Sequence, residues 1–562
     1  MDVTNSQKAV KNLIISFGTQ IILLIFKFVV QTLFIMKLGQ LYLGTNSLLT
    51  NVFTVFSFAE LGLGTAIAFN LYRPIANEEH AKISAYMRFY KHAYQIIGIV
   101  VAISGLAFFP FVHTLIKGEV VEGLPIIYLL FLLNIVSSYF FTYKRTLLTA
   151  NQEEYKNQLN IFWFTVIQMT LQSVVLIVFK NFIFYLIIQV VCTFFSNFMI
   201  SRVVDQEHSY LKEYKDERIT KEEFGIIKRN VLELLGSKVG GVVLNSTDNI
   251  IISKFIGLAA VGQYANYLLI TASITFVTNK TISSVIASIG NMSIKNSKDD
   301  NIKTFYQAYF LNYIAAIVIS SGLLTLMTPF IQAWAGESYV MGFWVLLFTV
   351  INYLIGQMRQ TINAFMFAYG ALQFQGVKSV VEALSNLILS VLFVTQTNLG
   401  VAGVLLGTLV TNVVINTWFE AFQVFRLGFK HSVKKFLVYN WGHLLLATSI
   451  ISAVYKLVAF IELDNIWLSL IFKGIATVVL DILFIVVIHG RSEYFKIIKK
   501  TTRDKILKKY QEKLEKQNDK TKISKFLKEK FNYKKSKKTS SDIVNDILNQ
   551  HLNETKKIDL NN

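Results

Sequence analysis

Cysteine occurs once in 562 residues, proline four times, and charged side chains make up only 16%. A lone Cys192 excludes an intramolecular disulfide framework and leaves too few thiolates for a structural zinc site. The charge lies well below the roughly 25% of ordinary soluble domains, which argues against a soluble enzyme. No G-x-x-x-x-G-K-[ST] loop is present, so ATP hydrolysis by this chain is not expected. The eight histidines form no His-Glu-x-x-His pattern. Gly62-Leu63-Gly64 lies inside an apolar run and lacks the strand a dinucleotide site needs. No cofactor and no metal is expected. With 53% hydrophobic residues, the chain is also too apolar to be disordered.

What it has instead is long apolar runs. A spanning helix needs about 20 apolar residues to cross roughly 30 Å of hydrocarbon, and about 14 such stretches recur. They lie near 12–36, 42–70, 89–115, 124–148, 157–179, 182–202, 230–253, 259–290, 305–334, 339–368, 377–396, 401–425, 437–460 and 465–489. The expected class is an all-α polytopic membrane protein. Lys8 and Lys11 precede the first run, but it is too long for a signal peptide and lacks a small-residue cleavage site.

Basic residues set the direction of insertion. They concentrate in alternate loops: Arg73 to Lys91, Lys144 to Lys156, Lys212 to Arg229, Lys295 to Lys303, Lys378, and Arg426 to Lys435. The opposite loops are short and carry few, among them Lys37, Lys117, Lys180 and Lys254. Both termini are therefore expected in the cytoplasm. The lysine-rich segment 491–562 carries 21 Lys/Arg against 10 Asp/Glu, over half of the chain's net +20. It suits an anchor on anionic lipid. It has no folded reader for nucleic acid, and none is expected as a partner.

The chain also repeats itself. Asn12, Gly18, Gly39 and Gly44 recur at a constant offset of 218 as Asn230, Gly236, Gly257 and Gly262. Phe89-Tyr90, Ser104-Gly105, Pro110-Phe111 and Gly118-Glu119 recur as Phe305-Tyr306, Ser321-Gly322, Pro329-Phe330 and Gly336-Glu337. Each copy holds six spans, an even number, so both enter the membrane in the same direction. Two parallel six-helix lobes follow, with two extra C-terminal helices. The expected division is an N-terminal lobe over 1–203, an inter-lobe loop over 204–229, a C-terminal lobe over 230–427, the extra helices over 428–490, and the basic tail.

The runs Met36-Lys37-Leu38-Gly39, Tyr42-Leu43-Gly44 and Phe58-Ala59-Glu60-Leu61-Gly62-Leu63-Gly64-Thr65-Ala66 carry a family resemblance. So does Ser138 to Leu148, followed by Ala150-Asn151-Gln152. They resemble bacterial oligosaccharide repeat-unit flippases, the Wzx-like polysaccharide biosynthesis proteins, over roughly residues 1–490. Their superfamily also holds lipid II flippases and multidrug and toxin extrusion antiporters. The resemblance implies two lobes of six helices and a cell-membrane location. It also implies an undecaprenyl-diphosphate-linked oligosaccharide as substrate, flipped outward by alternating access for capsule or exopolysaccharide assembly. A polysaccharide polymerase and other assembly proteins would be its partners. An ion-coupled multidrug antiporter is the alternative. A glycan polymerase or ligase needs a large outer loop with catalytic groups, and the outer loops here are short.

Ionisable groups inside spans mark candidate sites, because each costs about 2.5–3.5 kcal/mol on insertion scales. Lys27 sits mid-span in the first helix, with Gln20 and Gln31 on one stripe. The repeat sets Lys238, Asn245 and Asn249 at the matching positions. Lys238, Arg359, Lys144 and Arg145 complete a cationic set suited to a diphosphate: Arg offers a planar fork and Lys a mobile point charge. Membrane lipid surrounds the tail of such a substrate. Glu60, Asp248 and Glu382 are candidates for ion coupling or gating, with Glu60 alternatively pairing with Arg359. Glu420 and Asp481 are expected to be paired structural groups.

Overall fold

The computed structural model describes residues 3–57, 62–295 and 297–497. Among these the chain is helical throughout, with no strand. The first copy of the repeat holds α1 (Val3–Phe56), α2 (Leu63–Ala76), α3 (His80–Phe108), α4 (Leu124–Tyr139), α5 (Arg145–Ala150), α6 (Glu154–Val178) and α7 (Phe182–Glu207). A short α8 (Tyr210–Glu213) leads to the second copy. That copy holds α9 (Lys221–Phe255), α10 (Leu258–Lys295), α11 (Lys298–Ala335), α12 (Phe343–Ala368), α13 (Gln375–Gln396), α14 (Val401–Thr411) and α15 (Thr417–Phe422). Two more helices follow, α16 (Lys434–Ala459) and α17 (Ile466–His489).

Nine helical segments among the described residues are long and apolar enough to cross a membrane; a tenth arises if α4 and the bent helix after it count as one. The sequence reading of about 14 is not reached on this count. The difference has physical causes. At 54 residues, α1 is about 80 Å long at 1.5 Å per residue, far more than one crossing. It is two helices joined at a kink. Conversely, α9, α10 and α12 are long enough (35, 38 and 26 residues) but are diluted by polar residues.

The inter-lobe loop is shorter than the expected 204–229. Residues 204–207 still belong to α7, and α9 begins at Lys221. A capping box fixes that start. The Thr220 hydroxyl accepts from the Glu223 backbone N–H at 3.2 Å, and Glu223 accepts from the Thr220 N–H at 2.9 Å. Two orphan donors of the first turn are thereby satisfied.

The repeat is visible in the backbone. α1 kinks at Gly39 (φ 80°), and the chain turns between α9 and α10 at Gly257 (φ 133°), its partner in the repeat. These values lie where a Cβ is strained. The next pair, Gly44 and Gly262, is where the two copies touch. A Cβ on Gly44 would lie 1.9 Å from the Leu258 carbonyl oxygen, and one on Gly262 would lie 2.2 Å from that of Gln40. Gln40 and Leu258 are themselves 218 residues apart. The contact is therefore reciprocal: each copy presents the same glycine to the same backbone position of the other. That is what a two-fold relation between parallel repeats requires, and small residues allow the close approach.

Packing within the lobes is aromatic. Tyr90, Tyr94, Tyr139 and Tyr143 bury against Ile67, Leu71 and Leu147 in the first. In the second, Phe305 meets Phe365, Phe425, Phe429 and Phe436 at centroid distances of 5.0–5.7 Å. Such rings prefer offset or edge contacts, and the interplanar angles of 73–90° are edge contacts.

The chain divides into two units, residues 1–484 and 485–562. The described part of the second is the end of α17 and a helical turn over 493–497.

Candidate functional site

Lys27 lies on α1 between Leu23, Val30 and Phe34, which are 5%, 6% and 2% exposed. These are the i−4, i+3 and i+7 neighbours, so all four share one face. The opposite face carries Ile25, Val29 and Met36, all exposed, as a lipid-facing stripe should be. Lys27 itself is exposed on the inward face. An accessible side chain on the buried side of a helix faces a gap between helices, not lipid. It makes no ion pair with any described residue. One turn on, the Gln31 side-chain amide donates to Asn266 of α10 at 3.0 Å. Trp334 of α11 donates to Thr32 at 2.6 Å and packs on Phe28. The α1 helix thus reaches the second lobe through Gln31, Thr32 and Phe28, on one flank of its inward stripe.

The other cations are engaged within their own lobes. Lys144 pairs with Asp205 at 2.6 Å. The side chain of Arg145, at the start of α5, donates to neutral groups: Asn197 at 3.1 Å, Asn160 at 2.7 Å and Ser196 at 3.0 Å, with Glu154 acting on it beyond ion-pair distance. One of its terminal nitrogens is buried without a hydrogen-bond partner. Arg359 forks onto both oxygens of Glu420 and donates to Asn412 at 2.7 Å. Lys378 joins Glu382 at 2.8 Å and Glu420 at 3.1 Å. Asn416 donates to Glu382 and to Asn412. Two cations and two carboxylates therefore close a neutral network in the second lobe. Asn412 and Asn416 bound a π-helical turn between α14 and α15, a device that recurs at functional sites.

These clusters occupy equivalent ground, on α5, α6 and α7 in the first copy and on α12, α13 and the α14–α15 segment in the second. Their charges differ. Arg145 has no carboxylate within ion-pair distance among the described residues, whereas Arg359 has Glu420. Among the described residues the ion-pair partner of Arg359 is Glu420; the expected alternative of Glu60 as its partner falls on a residue outside them. Glu60 lies outside the described residues, as does the side chain of Lys238 on α9.

Asp248 of α9 has one carboxylate oxygen buried without a hydrogen bond. Thr408 lies beside it and accepts from Asn386 at 2.9 Å. Asn249, Ser253 and Asn386 also carry buried side-chain oxygens with no partner. Oxygen donors of this kind suit a hard cation. Asp481, expected to be a paired structural group, accepts from Ser321 at 2.8 Å and forms no ion pair with any described residue. Glu153, Glu207 and His208 come within metal-ligand reach of one another, but the Lys156 ammonium bridges the two carboxylates at 2.9 and 2.6 Å.

No family model and no curated protein matches the sequence. Solved structures do match in shape. The lipid II flippase MurJ in an inward closed conformation aligns with 85% of this chain and 99% of its own, at TM-score 0.61 and 16% identity. The chain has the MurJ fold. An inward-facing multidrug resistance MATE transporter aligns with 79% of this chain at TM-score 0.49 and 15% identity.

Sequence reasoning missed three parts of this arrangement. Lys378 reads as a loop lysine but is buried in α13, 6% exposed. The spacing to Glu382, i to i+4, was the available signal. Asn160, Ser196 and Asn197 are scattered polar residues in apolar helices, and only the fold brings them to Arg145. Thr408 and Asn386 likewise meet Asp248 only across helices.

Proposed function

We propose that this chain is a membrane transporter that moves an undecaprenyl-diphosphate-linked oligosaccharide from the cytoplasmic to the outer leaflet by alternating access, serving capsule or exopolysaccharide assembly. The observation that carries the reading is Lys27: a cation at mid-span, on the inward face of α1, accessible and without an ion pair among the described residues. A fixed cation there attracts a diphosphate. Gln31 offers an amide beside it, and Arg145 and Lys238 are further candidate contacts. A glycan cannot cross bare lipid, since an unpaired hydroxyl costs about 4–8 kcal/mol on transfer from water to an apolar solvent. Polar lining between two lobes removes that cost. The MurJ fold supports the reading, since the protein so named flips a lipid-linked molecule. Arg359 and Lys144, already neutralised, hold their helices together in this reading.

Asp248, with Asn386 and Thr408, is the candidate site for a coupling cation. The same feature favours the second reading, an ion-coupled multidrug antiporter. Transport in proteoliposomes decides between them. A fluorescent undecaprenyl-diphosphate glycan should be flipped by the wild type. Lys27→Ala should slow it about 10- to 100-fold, the loss of one charge-assisted hydrogen bond, with Lys27→Arg retaining more. Folded wild type that leaves the glycan in place and exports an organic cation down an ion gradient establishes the antiporter instead.

A further inference from the structure

A cavity lies between α11, α12, α16 and α17. It measures about 370 Å³; its polar lining residues are Lys473, Gln332, Thr325, Thr328 and Tyr455, and the rest of the lining, Phe343 and Leu346 among it, is apolar. Its depth in the membrane follows from the helix ends. Gln332 is three residues from the end of α11, Phe343 opens α12, Ala459 closes α16, and Lys473 is seven residues into α17. At 1.5 Å per residue, Lys473 is about 10 Å from its helix end. All four elements thus contribute from one end of the bundle, at the level where lipid headgroups meet the acyl region.

Lys473 forms no ion pair with any described residue. A lysine at this depth on a lipid-facing helix ordinarily snorkels to the interface. Here it lines an interhelical cavity instead, with hydroxyls and an amide around it. The outer faces of α17 are apolar and exposed, among them Ile471, Phe472, Ile475 and Val479. A molecule in the cavity is therefore flanked by lipid-facing surface. One cation, several neutral donors, headgroup depth and a lipid-side flank match one ligand chemistry. We infer that this cavity binds a phosphate-bearing headgroup of a membrane lipid, with Lys473 on the phosphate and Gln332, Thr328 and Tyr455 as hydrogen-bonding neighbours. Lys27 is not among the residues that line it, and its occupant need not be the transported molecule.

The test uses the full chain purified in detergent and titrated separately with dihexanoyl phosphatidylglycerol, dihexanoyl phosphatidylcholine and inorganic phosphate. Binding is read as a saturable rise in Tm and as bound lipid in native mass spectrometry. Phosphatidylglycerol should saturate at a concentration at least about tenfold below phosphatidylcholine, and Lys473→Gln should weaken it about tenfold or more, as loss of a charge-assisted hydrogen bond does. Lys473→Arg should retain binding. Gln332, exposed at the cavity, supplies a second variant, Gln332→Leu, expected to weaken binding even if Lys473→Gln fails to fold. Inorganic phosphate that saturates as readily as the lipid supports the anion site and makes the free anion its occupant. Phosphatidylglycerol binding that is unchanged in both Lys473→Gln and Gln332→Leu, or absent from the wild type, overturns the proposal. Glycan flipping is not a readout here, so failure of this site leaves the transport reading standing.

Discussion

Lys27 and Arg359 are both cations inside apolar helices, and their surroundings separate their roles. Arg359 shares its charge with Glu420, Lys378 and Glu382 in a closed neutral set. Removing one member leaves an uncompensated buried charge, which costs about 3–5 kcal/mol. Arg359→Ala and Glu420→Ala should therefore lower the Tm of the purified protein sharply, as read by thermal unfolding in detergent. Lys27→Ala removes no ion pair with a described residue and should leave Tm near the wild type while flipping falls. A thiol placed at position 27 gives a direct check on its surroundings. In a Cys192→Ser background, Lys27→Cys should react with a water-soluble maleimide, and Ile25→Cys on the opposite face should not. Equal labelling at both positions would remove the aqueous gap. The sequence made Lys27 legible because a lone mid-span charge stands out against its neighbours. Lys378 was only half legible: its spacing to Glu382 could be read, but Glu420 is brought beside it from another helix.

At the scale of elements, the decisive contacts are where helices start and where they cross. The α9 start is written locally: Thr220 and Glu223 close a capping box. Burial raises the Glu223 carboxyl, but the Thr220 backbone N–H, the Thr220 hydroxyl and Lys82 outweigh it and hold the pKa below the ordinary value. The linkage has one sign. Its stabilisation is complete above the unfolded carboxylate pKa and is lost as pH falls through the lower folded value. Thr220→Ala should cost about 1 kcal/mol, and the gap in Tm between wild type and Glu223→Gln should shrink on acidification below about pH 4. The crossing of α1 and α10 is different in kind. Repeated glycines were readable as a pattern, but not that Gly44 and Gly262 face each other. The span count of about 14 differs from the nine or ten counted among the described helices for a related reason. Hydropathy sees composition, whereas the Gly39 kink and the π-helical turn at 412–416 are set by backbone geometry and by the side chains they serve.

Across the whole molecule, the two repeats share a plan but not a charge. The first keeps Lys27 and Arg145 with no carboxylate within ion-pair distance among the described residues, and the second neutralises Arg359 and carries Asp248 with an unsatisfied oxygen. Under the proposed function, the first lobe would take the anionic substrate and the second a cation, and the machine would exchange or co-move the two. The driving force follows from which of them crosses the field. An inside-negative potential pushes an anion outward by about 2.3 kcal/mol per charge per 100 mV, equivalent to about 50-fold in distribution. If the diphosphate charge crosses, a potassium diffusion potential across proteoliposomes should bias flipping toward the positive side, and reversing the potential should reverse the bias. If a cation bound at Asp248 supplies the work, a sodium or proton gradient should drive flipping at zero potential, and Asp248→Asn should abolish that dependence while leaving slow, gradient-independent flipping. The two outcomes are separable in one preparation. A potential-driven bias that survives Asp248→Asn assigns the work to the substrate's own charge, and a gradient dependence that disappears with it assigns the work to the second lobe.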